Sequence, residues 1–109
     1  MTEERWYMAN RSVFDLKRPP RSVMVCGQKV TVRVVAYLED DAEELLGAFN
    51  GETKTIYILK GSNWKQTLFH ECLHAALYFS GAAEGLSLNK EESIVLALEH
   101  GLWPLLFGR

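Results

Sequence analysis

The chain has 109 residues and a formal net charge of −2, with 48% hydrophobic and 24% charged residues. These values allow one compact domain with a modest core, and we expect a single domain over residues 1–109. The weakly acidic balance argues against a nucleic-acid partner, which would favour a strongly basic domain. No apolar run reaches the roughly 18 residues of a membrane helix, so we expect no membrane contact and a cytoplasmic location.

Residues 1–22 form an N-terminal extension whose structure the sequence defines poorly. Apolar residues such as Trp6 and Phe14 could supply one amphipathic helix, but Pro19-Pro20 would end it, because proline clashes with the preceding turn. We expect this segment to pack against the edge of the domain through its aromatic side chains.

Strand patterns occupy the middle of the chain. The expected strands are 23–26 and 30–38, which form a hairpin around Gly27-Gln28, and then 45–49 and 54–59. Asn50-Gly51 predicts a tight turn with positive φ between the last two strands. The acidic segment 39–44 is expected to be a solvated loop or a short helical turn. Together these patterns predict a three- or four-stranded, largely antiparallel sheet.

Two helices are predicted after the strands. In the first, Asn63 is the expected N-cap, Gln66 completes an approximate capping box, and Gly81 ends the helix in a left-handed conformation. The second helix is expected to have Asn89 as its N-cap and to run to about Trp103, because Pro104 ends it. The predicted fold class is therefore α+β, with a small sheet packed on a first helix and a C-terminal helix.

The first predicted helix contains a His-Glu-x-x-His sequence at residues 70–74. Helical positions i and i+4 lie one above the other, so His70 and His74 project from one face and could bind one Zn²⁺. Glu71 lies beside that face, where its carboxylate could accept a proton from an activated water. An apolar helix has no structural need for three ionisable groups, which are costly to bury unpaired. We therefore predict a zinc site with Glu71 as general base.

The third zinc ligand is expected on the C-terminal helix. Catalytic zinc usually takes three protein ligands and leaves a fourth position open. Glu91 heads the apolar stripe that should face the first helix, whereas Glu92 shares its line with Glu99 and a more mixed face. We favour Glu91 as the ligand, with Glu92 as the alternative. Glu99 and His100 are expected to support the site or to lie at the surface.

These motifs resemble those of the gluzincin type of zinc metallopeptidase, and more narrowly the small ImmA/IrrE-like peptidases of phages and mobile elements. The resemblance covers residues 45–106 and rests on strands followed by the residue 70–74 motif and a glutamate-led helix that ends near Pro104. It implies a zincin-like, zinc-dependent protease acting on a protein or peptide inside a bacterial host cell. Counting back from Pro104 in the family pattern places the ligand on Glu91.

Further roles and rival functions follow from the same residues. Tyr78, Tyr57 and His100 are candidates for the donor that stabilises the oxyanion, and a substrate strand could pair with the sheet edge. The alternative function is a catalytically idle, zinc-stabilised protein that binds a host or regulatory protein. A third interpretation has no metal, with the histidines as core groups. The sequence does not define the oligomeric state.

Overall fold

A computed structural model describes residues 12–40 and 43–107. The strands are β1 (Ser22–Val25), β2 (Gln28–Val35), β3 (Glu39–Asp40), β4 (Glu43–Glu44), β5 (Gly47–Asn50) and β6 (Thr55–Leu59). The helices are α1 (Trp64–Phe79) and α2 (Leu88–Phe107), with short 3₁₀ turns at Val13–Asp15 and Ala82–Gly85. Strands and helices together confirm the predicted α+β class.

The main sheet has four strands in the order β1-β2-β6-β5. Pairs β1–β2 and β5–β6 are antiparallel, as predicted, whereas β2 and β6 run parallel. Parallel neighbours need a long connection, and residues 36–54 provide it by returning the chain to the starting end of β2. The sheet is therefore mixed, and β5 lies at one edge, next to α1.

The first hairpin turns one residue earlier than predicted. Cys26 and Gly27 occupy the turn with φ of 50° and 75°, and Gln28 is already the first residue of β2. Positive φ at both central residues is the mark of a type I′ turn, whose twist matches that of the two strands.

The described residues of the acidic connector form strands rather than a loop or a helical turn. Glu39 and Asp40 pair with Glu44 and Glu43 in a small antiparallel hairpin, β3–β4. Just outside it, the N–H of residue 45 donates to the carbonyl of residue 38 at 3.1 Å. The hairpin was missed because its strands are two residues long and lack an apolar face.

Gly51 is required for a different reason from the one predicted. Asn50 Oδ1 accepts hydrogen bonds from the N–H groups of Glu52 and Thr53, and the positive φ of this turn falls on Lys54, at 50°. A Cβ at Gly51 would lie 2.4 Å from Cζ of the Tyr78 ring. The glycine therefore allows the turn to approach α1 closely.

Helix α1 has the predicted ends but not the predicted capping box. Asn63 is the N-cap residue and Gly81 follows the helix with φ of 83°, as expected. However, the Asn63 side chain makes no capping hydrogen bond. Gln66 does not complete the box because its amide donates to Glu99 on α2 at 2.7 Å instead.

Helix α2 extends beyond both predicted ends. It begins at Leu88, where Ser87 rather than Asn89 accepts from the helix: Ser87 Oγ accepts from the N–H of Lys90 at 3.2 Å. Pro104 lies inside the helix, which continues to Phe107. Proline lacks a donor and disfavours a helix interior, so tertiary contacts must hold the last turn.

An aromatic cluster supplies those contacts. The Phe14 ring lies 6.1 Å from Phe69, 6.2 Å from Trp103 and 5.0 Å from Phe107, measured between centroids. Such edge-on pairs add to the stabilisation from burial. The described part of the N-terminal extension therefore packs through an aromatic side chain, as predicted, whereas Trp6 lies outside the described residues.

The core lies between the sheet and α1. Its buried residues are Val23, Val30, Val32, Ile56, Ile58 and Leu68. Burying each such side chain contributes about 1.5–3 kcal/mol, and Leu68 is the member of this cluster that α1 supplies. The histidine face of α1 is left to meet α2. Within residues 12–40 and 43–107, neither helix combines the length and apolarity needed to cross a bilayer.

Candidate metal centre

The candidate site lies between α1 and α2, which run antiparallel. Gln66 near the start of α1 contacts Glu99, and His74, two turns on, contacts Glu91 near the start of α2. Because the two helices run in opposite directions, the histidine motif of α1 lies beside the acidic first turns of α2.

Both histidines direct one ring nitrogen at the same carboxylate. His70 Nε2 lies 3.0 Å from Glu92 Oε1, and His74 Nε2 lies 3.1 Å from Glu92 Oε2. One ligand atom from each of these three residues falls within 4.8 Å of the others. His70, His74 and Glu92 thus form a group that could hold a metal ion.

The other ring nitrogen of each histidine has its own carboxylate. His70 Nδ1 lies 2.6 Å from Glu99 Oε1, and His74 Nδ1 lies 2.6 Å from Glu91 Oε2. Burial raises the pKa of Glu99, but hydrogen bonds from His70 and Gln66 outweigh it and leave that pKa below its ordinary value. An ionised carboxylate on Nδ1 favours the tautomer that presents Nε2 as a free acceptor.

Of the two candidate third ligands, the alternative Glu92, and not the favoured Glu91, belongs to the group that could hold a metal ion. Glu91 contacts Nδ1 of His74, whereas Glu92 lies between the Nε2 atoms of His70 and His74. One residue along a helix is a rotation of about 100°, which carries Glu92 to the cleft side and Glu91 behind the ring. The sequence contained a sign of this arrangement, because Glu92 and Glu99 are two helical turns apart and therefore lie on one face of α2.

The donor set fits a zinc ion. Two imidazole nitrogens and one carboxylate are ligands that zinc accepts, and three protein ligands leave a fourth position for water or substrate. The carboxylates on both Nδ1 atoms match the usual surroundings of metal-binding histidines. The Glu92 side chain is 47% exposed, so this group opens onto solvent rather than being sealed in the core.

A cleft of about 610 Å³ runs beside the group, between β5 and the two helices. Glu71 lines it together with His70, His74 and Glu92, although Glu71 is only 6% exposed. Burial raises the pKa of Glu71 to about 7, against the lowering effect of the two histidines. A carboxyl group with such a pKa can both accept and release a proton near neutral pH.

Gly47 brings β5 against the base of this cleft. A Cβ at Gly47 would lie 2.5 Å from Thr67 Cγ2 and 3.1 Å from Glu71 Oε2. Only a glycine lets the edge strand approach the general-base candidate so closely without moving it.

Gly47→Ala is therefore expected to lower stability by roughly 1–3 kcal/mol, the usual cost of overpacking. Thr67→Ser removes the closest methyl group, so the double variant should recover part of the loss. Thermal unfolding of the metal-free proteins measures both effects, and Ala48→Gly on the same strand is the control. A Gly47→Ala variant as stable as wild type would contradict this packing.

The three expected oxyanion donors lie away from the cleft. Tyr57 and Tyr78 line an adjoining cavity of about 510 Å³, and His100 lines another of about 500 Å³. Two polar residues at the start of α1, Asn63 and Gln66, do line the cleft. The sequence had pointed to both only as capping residues of α1.

Comparison of the chain with models of protein families, with curated proteins and with solved structures gives no match. The class of this protein is therefore described from its fold and its candidate site alone. The described part of the chain is an α+β fold that carries a histidine and glutamate group able to hold a metal ion.

Proposed function

We propose that this protein is a zinc-dependent metallopeptidase. The observation that carries the proposal is the position of Glu71, whose carboxylate lines the same cleft as His70, His74 and Glu92. A metal site that only stabilised the fold would be closed by four protein ligands and would need no base beside it. Here the group offers three candidate ligands and an open side, and a carboxyl group that could accept a proton lies beside it.

Each residue has a defined part in the proposed reaction. His70, His74 and Glu92 would hold the zinc ion, which supplies Lewis-acid chemistry that activates water and polarises a carbonyl group. Glu71 takes the proton from the attacking water and delivers it to the leaving nitrogen. The burial that raises the pKa of Glu71 also favours uptake of this proton by its carboxylate.

The edge of β5 offers a place for an extended peptide. Among the described residues, no strand pairs with the outer side of β5. The N–H of Leu59 donates to the carbonyl of Leu46, so alternation along the ladder leaves the N–H and C=O groups of Gly47 and Phe49 directed outward. A peptide that adds a strand there would run along the cleft and past Glu71.

Hydrolysis of peptides by the metal-loaded protein tests the proposal. We expect the protein to cleave members of a mixed library of quenched fluorescent peptides, to lose this activity on chelation and to regain it with zinc. Glu84→Gln, which changes an exposed glutamate outside the cleft, should cleave the same peptides. Protein that holds zinc but cleaves none of the library would favour the non-enzymatic binding function instead.

A further inference from the structure

We infer that Gln66 is a positioning residue for the metal: it holds Glu99, and Glu99 in turn holds His70. This inference rests on the metal site of the proposed function and not on hydrolysis. Gln66 Nε2 donates to Glu99 Oε2 at 2.7 Å, and the other oxygen of the same carboxylate lies 2.6 Å from His70 Nδ1. The three side chains form one continuous chain of hydrogen bonds across the two helices.

The direction of each hydrogen bond in this chain follows from chemistry. The amide nitrogen of Gln66 can only donate, so Glu99 Oε2 must accept. An ionised Glu99 also accepts at Oε1, which requires the proton of His70 to be on Nδ1. His70 then presents the lone pair of Nε2 towards Glu92, where the metal is proposed to bind.

The two histidines are supported unequally. The Glu99 side chain is 9% exposed, whereas that of Glu91, the partner of His74, is 20% exposed. Within residues 12–40 and 43–107, His74 is the hydrogen-bond partner of the Glu91 carboxylate, and no second one is found. Gln66 therefore gives the His70 side of the site a support that the His74 side lacks.

Loss of Gln66 would leave one oxygen of a buried carboxylate without its donor. A buried carboxylate oxygen without a donor is unfavourable, so the Glu99 side chain would gain by rotating towards solvent or another donor. Rotation of Glu99 would move Oε1 away from His70 Nδ1 and free the ring to turn. Gln66 would thus control metal affinity although it does not touch the proposed metal position.

Gln66→Met tests this role, because methionine keeps the length and apolar volume of the side chain but cannot donate. We expect zinc affinity, measured by competition with a chromophoric chelator, to fall about 10–100-fold, the usual effect of losing an outer partner of a ligand. In NMR spectra of the zinc-loaded protein, the Nδ1 proton of His70 should exchange slowly in wild type and rapidly in the variant. Lys65→Ala, one residue away, is the control and should change neither measurement.

The outcomes separate this inference from the proposed function. Gln66→Met that binds zinc as tightly as wild type and keeps the slow Nδ1 proton would overturn the inference alone, even if its unfolding temperature falls. Wild-type protein that binds no zinc would overturn the proposed function, and the inference with it.

Discussion

Glu71→Gln is expected to reduce peptide hydrolysis by about 10²–10⁴-fold, the usual contribution of a general acid–base group. Glutamine matches the size of glutamate beside Gly47 but can neither accept nor deliver the proton. Because Glu71 is not in the group of proposed ligands, the variant should bind zinc as wild type does. The measurement is kcat/KM on one cleaved peptide, with zinc content determined on the same samples.

A matched control is needed because Glu71 is buried against the edge strand. Glu84→Gln makes the same chemical change at an exposed position and should keep the wild-type rate. Glu71→Gln with full zinc and a rate within twofold of wild type would remove Glu71 from the reaction. Glu71→Gln that loses its zinc would instead show that this residue supports the metal site.

Glu92→Ala is expected to weaken zinc binding by more than the roughly 10–100-fold that loss of an outer partner of a ligand causes, because Glu92 lies beside Nε2 of both histidines. Glu91→Ala should have a smaller effect, about 10–100-fold, since Glu91 acts only through His74 Nδ1. The two variants remove the same chemical group from adjacent positions on one helix. Chelator competition on both proteins at one pH measures the difference directly.

The order of these two losses decides the third ligand. A larger loss in Glu91→Ala than in Glu92→Ala would restore the assignment that the sequence favoured. Circular dichroism spectra that match wild type would show that α2 remains folded in each variant. The comparison then reports on ligation alone.

Features encoded within one turn or one helix were predictable from the sequence. The residue 70–74 motif, the end of α1 at Gly81 and the N-cap position of Asn63 all depend on neighbours a few residues away. The same locality explains why the α+β class and the strand patterns were predictable, although several bounds moved by one to four residues.

Features set by contacts between distant segments were not predictable. Whether Glu91 or Glu92 enters the cleft depends on the rotation of α2 against α1, which the packing of both helices decides. The parallel pairing of β2 with β6 depends on the path of residues 36–54. The Gln66 side chain is chemically suited to capping a helix. Its actual partner, Glu99, lies 33 residues further along the chain, so only the folded structure identifies it.

Zinc content is the most direct test of the central claim, that the histidines of α1 and Glu92 of α2 form a metal site. Wild-type protein loaded with zinc and dialysed against metal-free buffer should retain one zinc ion per chain. The double variant His70→Ala/His74→Ala, treated identically and shown to be folded, should retain only the background level. Equal zinc content in the two proteins, whether one ion or none, would contradict the account.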